Sequence, residues 1–429
     1  MTWLAMCLLV TSCGLAQDPV QEPTAPPWPE GLITAIKAND LPAVKESLEK
    51  GAEIEARDNN GSTPLMYAAG FSKAPEIVTL LLAKGAEVEA RSNDGITPLM
   101  FAAQFSSTPA IVTLLLAKGA EIEARDKIGS TPLMFAARNS STPEIVTLLL
   151  AKGAEIEARD KNGWTPLMLA AGYSSTPEIV TLLLEKGAEV NARFEDGSTP
   201  LMYAAQFSST PEIVTLLLAK GAEIEARDKT GSTPLKYAAL WSATPEIVQL
   251  LLDKGAEIEA RDKIGSTPLM SAAGFSSTPE IVTLLVEKGA EIEARDKGGW
   301  TPLMLAARYS STPEIVTLLL AKGAEVNARN KLGWTPLMLA ASFSSNPGIV
   351  TLLLAKGAEV EARDNHGSTP LMWAAGFSST PEIVTLLLEK GADALAKDED
   401  GKKAIDHAEE NDKLKDTKAY WKLHDKSFE

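Results

Sequence analysis

Cysteine is almost missing from this chain of 429 residues: Cys7 and Cys13 are the only two, both within the first 13 positions. Nothing beyond Cys13 can form a disulfide, hold a metal through sulfur or act as a thiol nucleophile. Histidine is nearly as scarce, and His366, His407 and His424 show no metal-ligand spacing, so no metal or cofactor is expected. Positive charge is in deficit too: Lys and Arg total 41 against 57 Asp and Glu, a formal net charge of −16. That balance argues against the nucleic-acid phosphate backbone and against an anionic membrane surface as partners. A basic or neutral protein partner is the more natural expectation.

No long apolar run is present to span a bilayer. The run from Trp3 to Val10 is too short for that and suits the core of a secretory signal. Two endings fit. Gly14-Leu15-Ala16 before Gln17 is a small-x-small cleavage site. Val10-Thr11-Ser12-Cys13 resembles the bacterial lipobox, which would make Cys13 the lipidated first residue of the mature protein. No Lys or Arg precedes the apolar run, which departs from a standard signal. The expectation is therefore a signal over 1–16 and an exported protein: periplasmic, lipid-anchored in the envelope or secreted. Without a working signal it would be cytoplasmic. Residues 17–30, "QDPVQEPTAPPWPE", are proline-rich and read as an extended linker.

What fills the rest is repetition. Thr-Pro-Leu recurs at Thr63, Thr97, Thr131, Thr165, Thr199, Thr233, Thr267, Thr301, Thr335 and Thr369, always 34 residues apart. A fixed period of this size signals a solenoid. In the fourth unit Thr165 is a helix N-cap and Pro166 the first helical residue. Thr176-Pro177 repeats the same start for a second helix, "EIVTLLLEK", with Glu178 placed to complement the helix dipole. Gly187 supplies a left-handed stop. "AEVNAR" is expected to run extended toward a turn at Gly197.

These residues resemble the ankyrin repeat. Gly-x-Thr-Pro-Leu opens each unit, Ala-Ala closes its first helix, Ile-Val-x-Leu-Leu-Leu builds the second, and Gly-Ala begins the hairpin. The resemblance implies an all-α solenoid with short β-hairpins: an N-terminal capping unit over 31–60, ten repeats over 61–400 and a C-terminal cap over 401–429. The unit is one residue longer than the common 33, the extra residue falling in the Ser-Ser-Thr-Pro connection. The family's His after Thr-Pro-Leu is Met in nine units and Lys236 in the sixth, which should exchange a polar network for apolar packing.

"GWTPLMLAA" occurs at 163–171, 299–307 and 333–341. Its tryptophans, Trp164, Trp300 and Trp334, precede the N-cap, and each accompanies Leu four residues into the helix (Leu169, Leu305, Leu339). Where Ser precedes the cap, the fourth helical residue is usually aromatic (Tyr67, Phe135, Tyr203, Tyr237, Trp373). This complementarity of size fits a hydrophobic staple. The same position lies between hairpin tip and first helix, where ankyrin partners usually bind, so these tryptophans are also candidate partner anchors.

A second stripe follows Ala-Ala: Phe71, Phe105, Tyr173, Phe207, Trp241, Phe275, Tyr309, Phe343 and Phe377, broken by Asn139. Near-uniform aromatics more often mean packing between repeats than a binding code. The position before them varies, including Arg138, Leu240 and Arg308, and variation on a copied unit is where specificity could be written. Candidate partner-binding residues are therefore Trp164, Tyr173, Leu240, Trp241, Trp300, Arg308, Tyr309, Trp334 and Phe343. In the hairpins a Glu ladder (Glu55, Glu89, Glu123, Glu157, Glu225, Glu259, Glu293, Glu361) has Arg two residues on, and the two are expected to neutralise each other in solvent.

Serine and threonine recur in every unit, as capping residues do, whereas a catalytic group is usually singular. The expectation is a monomeric, non-catalytic scaffold for another protein. A structural rod without a specific partner and a secreted effector engaging host proteins stay open beside it.

Overall fold

The computed structural model describes residues 28–428. The expected signal over 1–16, Cys13 within it, and residues 17–27 of the proline-rich linker lie outside the described residues. The described chain folds as 24 helices in series, and it contains no strand. Helices Glu30–Ala38 and Leu41–Glu49 begin the stack, ten pairs follow, and Ala404–Ala408 with Lys418–Phe428 end it.

Each pair has a short inner helix and a longer outer one, such as Pro166–Tyr173 and Pro177–Glu185. The inner helix starts where the sequence says it should. Thr165 Oγ1 accepts the Met168 N–H at 3.3 Å, and Pro166 occupies the position whose N–H would be unsatisfied anyway. Methionine in place of histidine keeps a local polar contact, because the Thr63 and Thr97 N–H groups donate to Met66 and Met100 Sδ at 3.4 Å. In the sixth unit Lys236 instead reaches Asp262, in the tip that leads into the seventh.

The outer helix starts differently from expectation. Thr176 makes no side-chain cap there. The connection is held by Ser174, whose Oγ accepts the Thr176 N–H at 3.0 Å and donates to the Thr176 carbonyl at 3.3 Å. The extra residue of the 34-residue period thus lies in a connection closed by its own buried serine. Asn346 is an exception, its Oδ1 accepting the Gly348 N–H at 2.9 Å.

Outer helices stop at glycine. Gly187 has φ +97°, a conformation costly for any side chain, and Ala188 N–H returns to the Leu183 carbonyl at 2.9 Å. The segments expected as β-hairpins are pairs of turns. Ala192 N–H closes one turn on the Glu189 carbonyl and Gly197 N–H closes the next on Phe194. The tips instead bond from unit to unit: Lys229 N–H donates to the Asp196 carbonyl at 2.7 Å. A Cβ on Gly197 would stand 3.1 Å from that same Lys229 nitrogen, which is why the tip ends in glycine.

Leu201, Met202, Ala204, Ala205, Ile213, Val214 and Leu217 show the seven buried positions that every unit repeats. Burying one Ile, Val or Leu fully is worth about 1.5–3 kcal/mol. All of these but Met202 belong to a single apolar core that runs from Leu32 to Leu423. No unit could bury its own face alone, so stability resides in the contacts between units. Neighbouring inner helices share more contact than neighbouring outer ones, which curves the stack with the inner row on the concave side.

Candidate functional site

The inner helices present their last residue to solvent. Phe71, Phe105, Tyr173, Phe207, Trp241, Phe275, Tyr309, Phe343 and Phe377 are all exposed, from 39% for Tyr173 to 59% for Phe377. The next residue, for example Ser174, is turned inward to hold the helix connection, and this fixes the aromatic outward. The stripe is also a packing device: Phe71 stacks on Phe105 at 5.2 Å, Tyr173 on Phe207 at 5.1 Å and Phe275 on Tyr309 at 4.9 Å. These six rings thus meet a neighbour while staying exposed to solvent.

The tryptophans sit half-buried between layers. Trp334 joins the cluster of Met304, Ala328 and Leu339, so Leu339 is the staple partner the sequence suggested, and Trp300 of the preceding unit joins the same cluster. The closer ring contacts, however, cross to the next unit. Trp164 lies 4.2 Å from Tyr203, and Trp334 lies 4.3 Å from Trp373. Size complementarity within one helix therefore describes only half of the contact, since each N-cap neighbour also fills the space beside the next unit's helix. Trp164 meets Phe194 too, at 5.6 Å, where other tips carry Asp or another small polar residue.

Arg308 draws several sequence-derived candidates into one patch. Its guanidinium lies 4.2 Å from the Phe343 ring, 4.8 Å from Tyr309 and 5.4 Å from Trp300, distances suited to cation–π attraction. Trp334 borders Phe343 at 6.2 Å. Trp164 and Tyr173 form a separate patch, 5.9 Å apart. Leu240 and Trp241 stand apart from both patches in the sixth unit, with Trp241 58% exposed.

Sequence reasoning left Arg138 out of its candidates, although it lies 4.9 Å over the Tyr173 ring. The signal was present: Arg138 and Arg308 occupy the same position in their units. Asn139, the break in the stripe, opens a groove of about 550 Å³ beside Arg138, floored by Met134, Phe135 and Leu169. Asp126 and Asp160 also line it. Burial holds the Asp126 carboxyl above its usual range and the Asp160 charge adds to this, while the Ser130 and Ile128 N–H groups oppose it. Asp58, Asp228 and Asp364 have a side-chain donor in Tyr67, Tyr237 and Trp373, but Phe135 and Leu169 offer Asp126 and Asp160 none.

The hairpin ladder departs from expectation. Arg125 Nη1 donates to the carbonyls of Gly129 at 2.9 Å and Arg159 at 2.7 Å, and Arg57, Arg91, Arg159, Arg193, Arg227, Arg261, Arg295 and Arg363 make the same pair of bonds. These arginines brace backbone between units rather than forming close ion pairs with the Glu two residues before them. Among the described residues only Arg91 comes within ion-pair distance of its ladder Glu, Nη2 to Glu89 Oε2 at 4.0 Å. Arg193, Arg261 and Arg295 pair instead with Glu223, Glu291 and Glu325 of the following tip.

A curved stack of helix pairs, closed by turns that bond unit to unit, defines a helical solenoid. A family model described as ankyrin repeats (3 copies) matches residues 32–126, 108–194, 190–262, 244–330 and 310–398. The chain belongs to the ankyrin-repeat family, whose members are typically protein–protein interaction modules. No curated protein matches the chain. Among the described residues no helix is long and apolar enough to cross a membrane, and no group of three or more His, Cys, Asp or Glu side chains could hold a metal ion.

Proposed function

We propose that this protein is a non-catalytic scaffold that holds a basic or neutral protein partner along its concave face. The observation that supports this most directly is the stripe of exposed aromatic rings, because burying them only against each other would not require each to keep a face in solvent. Arg308 and its three rings would form one anchor region, Trp164, Tyr173 and Arg138 a second, with Leu240 and Trp241 between them. A preformed surface of this kind binds with little ordering cost. The apolar N-terminal stretch supports export, ending at Cys13 or after Ala16; the intact mass of the protein isolated from its native cells distinguishes lipidation from plain cleavage.

The binding reading is tested by changing Trp241, Phe275, Tyr309 and Phe343 together to Ser. These side chains are exposed, so the melting temperature should move by only a few degrees. A protein captured specifically by wild type and lost from this variant supports the scaffold. A partner that survives the substitution moves the site off the stripe. Reproducible capture of nothing by wild type makes the structural rod the better reading, which the near-identity of the units otherwise favours.

A further inference from the structure

One rung recurs between successive tips from Glu55 to Glu361. Glu55 Oε1 accepts the Glu87 N–H of the next unit at 2.9 Å, and Glu89, Glu123, Glu157, Glu225, Glu259, Glu293 and Glu361 make the same bond. Asn191 and Asn327 occupy this position in two units, and they do more. Asn191 Oδ1 accepts the Glu223 N–H at 2.9 Å while its Nδ2 donates to the Gly221 carbonyl at 3.1 Å. Asn327 repeats both bonds with Glu359 and Gly357. Each Asn therefore ties its unit to the next by two hydrogen bonds, and each Glu by one.

The second oxygen of the Glu rungs is the point of interest. Oε2 of Glu55, Glu89, Glu123, Glu225, Glu259 and Glu293 is buried and meets no hydrogen-bond donor among the described residues. An ionised carboxylate can only accept, so it cannot bond the glycine carbonyl that the Asn amide reaches in the other two units. A protonated carboxyl can donate. It then offers the same acceptor-plus-donor pair as Asn.

We propose that Glu55, Glu89, Glu123, Glu225 and Glu259 are acid-responsive ties between neighbouring units: on protonation Oε2 donates to the next unit's glycine carbonyl, Gly85 for Glu55 and Gly153 for Glu123, and the solenoid becomes more stable as pH falls. The proton comes from solvent and no other bond changes. The charges facing each rung are few. For Glu123 they are Glu155 of the next tip, which disfavours ionisation, and Arg125 two residues on, which favours it. The rung's own backbone N–H bond also favours ionisation, but burial outweighs it and the arginine, and holds Glu55, Glu89, Glu123, Glu225, Glu259 and Glu361 above the ordinary carboxylate range.

The sign follows from linkage. Between the ordinary glutamate value and the raised one, the folded chain binds more protons than the unfolded chain, so stability falls as pH rises through that window. A native carboxylate that only forms ion pairs gives the opposite slope.

The experiment follows thermal melting of the full chain between pH 7.5 and pH 5. Wild type should melt several degrees higher at the lower pH. A variant with Glu55→Gln, Glu123→Gln, Glu225→Gln and Glu259→Gln carries a permanent donor at four rungs. It should melt higher than wild type at pH 7.5 and lose most of the rise on acidification. Four exposed outer-helix glutamates (Glu76, Glu144, Glu212 and Glu314) changed to Gln control for net charge and should leave the slope intact. Asn191→Glu adds a rung, and should lower the melting temperature at pH 7.5 and steepen the slope. A wild-type melting temperature that is flat or falls on acidification overturns the proposal. So does a four-rung variant that keeps the wild-type slope, and, should that variant fail to fold, an Asn191→Glu protein with an unchanged slope does the same.

Discussion

Trp334 meets Trp373 edge-on, ring centroids 4.3 Å apart at 60°, although the two residues belong to successive units. Trp373 is held for this contact by its Nε1, which donates to Asp364 Oδ2 at 3.0 Å. The same separation along the chain joins Trp164 to Tyr203 and, at the start of the stack, Trp28 to Tyr67 at 5.6 Å. The residue before each N-cap thus belongs to the junction between units, whatever else it does.

That placement separates two kinds of tryptophan. Replacing a buried Trp by Ala costs about 3–5 kcal/mol. With Trp334 half-buried, Trp334→Ala should cost roughly 2 kcal/mol. Trp241 is 58% exposed, and Trp241→Ala should stay within about 0.5 kcal/mol. Urea unfolding of the two variants measures the difference. Equal losses would mean that the stripe is as much a part of the core as the junction residues are.

The two Thr-Pro threonines of a unit look alike in sequence and differ in work. Thr165 Oγ1 accepts a helix N–H, so Thr165→Ala should cost about 1 kcal/mol. Thr176 caps nothing, and Thr176→Ala should be nearly silent, whereas Ser174→Ala removes both bonds of the connection and should cost about as much as Thr165→Ala. Chemical denaturation of the three single variants decides it. A Thr176→Ala loss equal to that of Thr165→Ala would contradict the assignment.

The helices were legible because their signals are local. Thr165, Pro166, Pro177 and Gly187 each act within one turn of chain, so period and punctuation suffice to place them. The hairpins were not legible, because what holds a tip such as Gly197 is the backbone of the next unit at Lys229, and no pattern inside one unit reports that. The arginines were misjudged for a related reason. Alternation along an extended segment places Glu123 and Arg125 on one side, but the turns rotate Arg125 toward carbonyls of its own tip and the next. The aromatic stripe was visible as residue types, while its exposure and the Arg308 patch required the stacked fold.

Lys236 is the one buried lysine in a position otherwise held by Met, and its partner explains it. Its Nζ donates to Asp262 Oδ2 and, at 2.9 Å, to the Ser266 carbonyl. Burial pulls the Lys236 ammonium below its usual range while Asp262 holds it up. Asp262 has this donor where the fourth residue of the following helix, Ser271, offers none, since its hydroxyl turns back to the Thr267 carbonyl. At two other junctions that residue is Tyr67 or Tyr237, and it donates to Asp58 or Asp228 at 2.9 Å. Lys236→Met should therefore destabilise the protein by about 1–3 kcal/mol, by leaving a buried carboxylate without its cation. Adding Ser271→Tyr supplies a phenol in the geometry used elsewhere in the stack and should recover most of that loss. The double-mutant cycle, read by urea unfolding, measures the coupling directly. If Ser271→Tyr recovers nothing in the Lys236→Met background, the lysine is not standing in for the missing tyrosine.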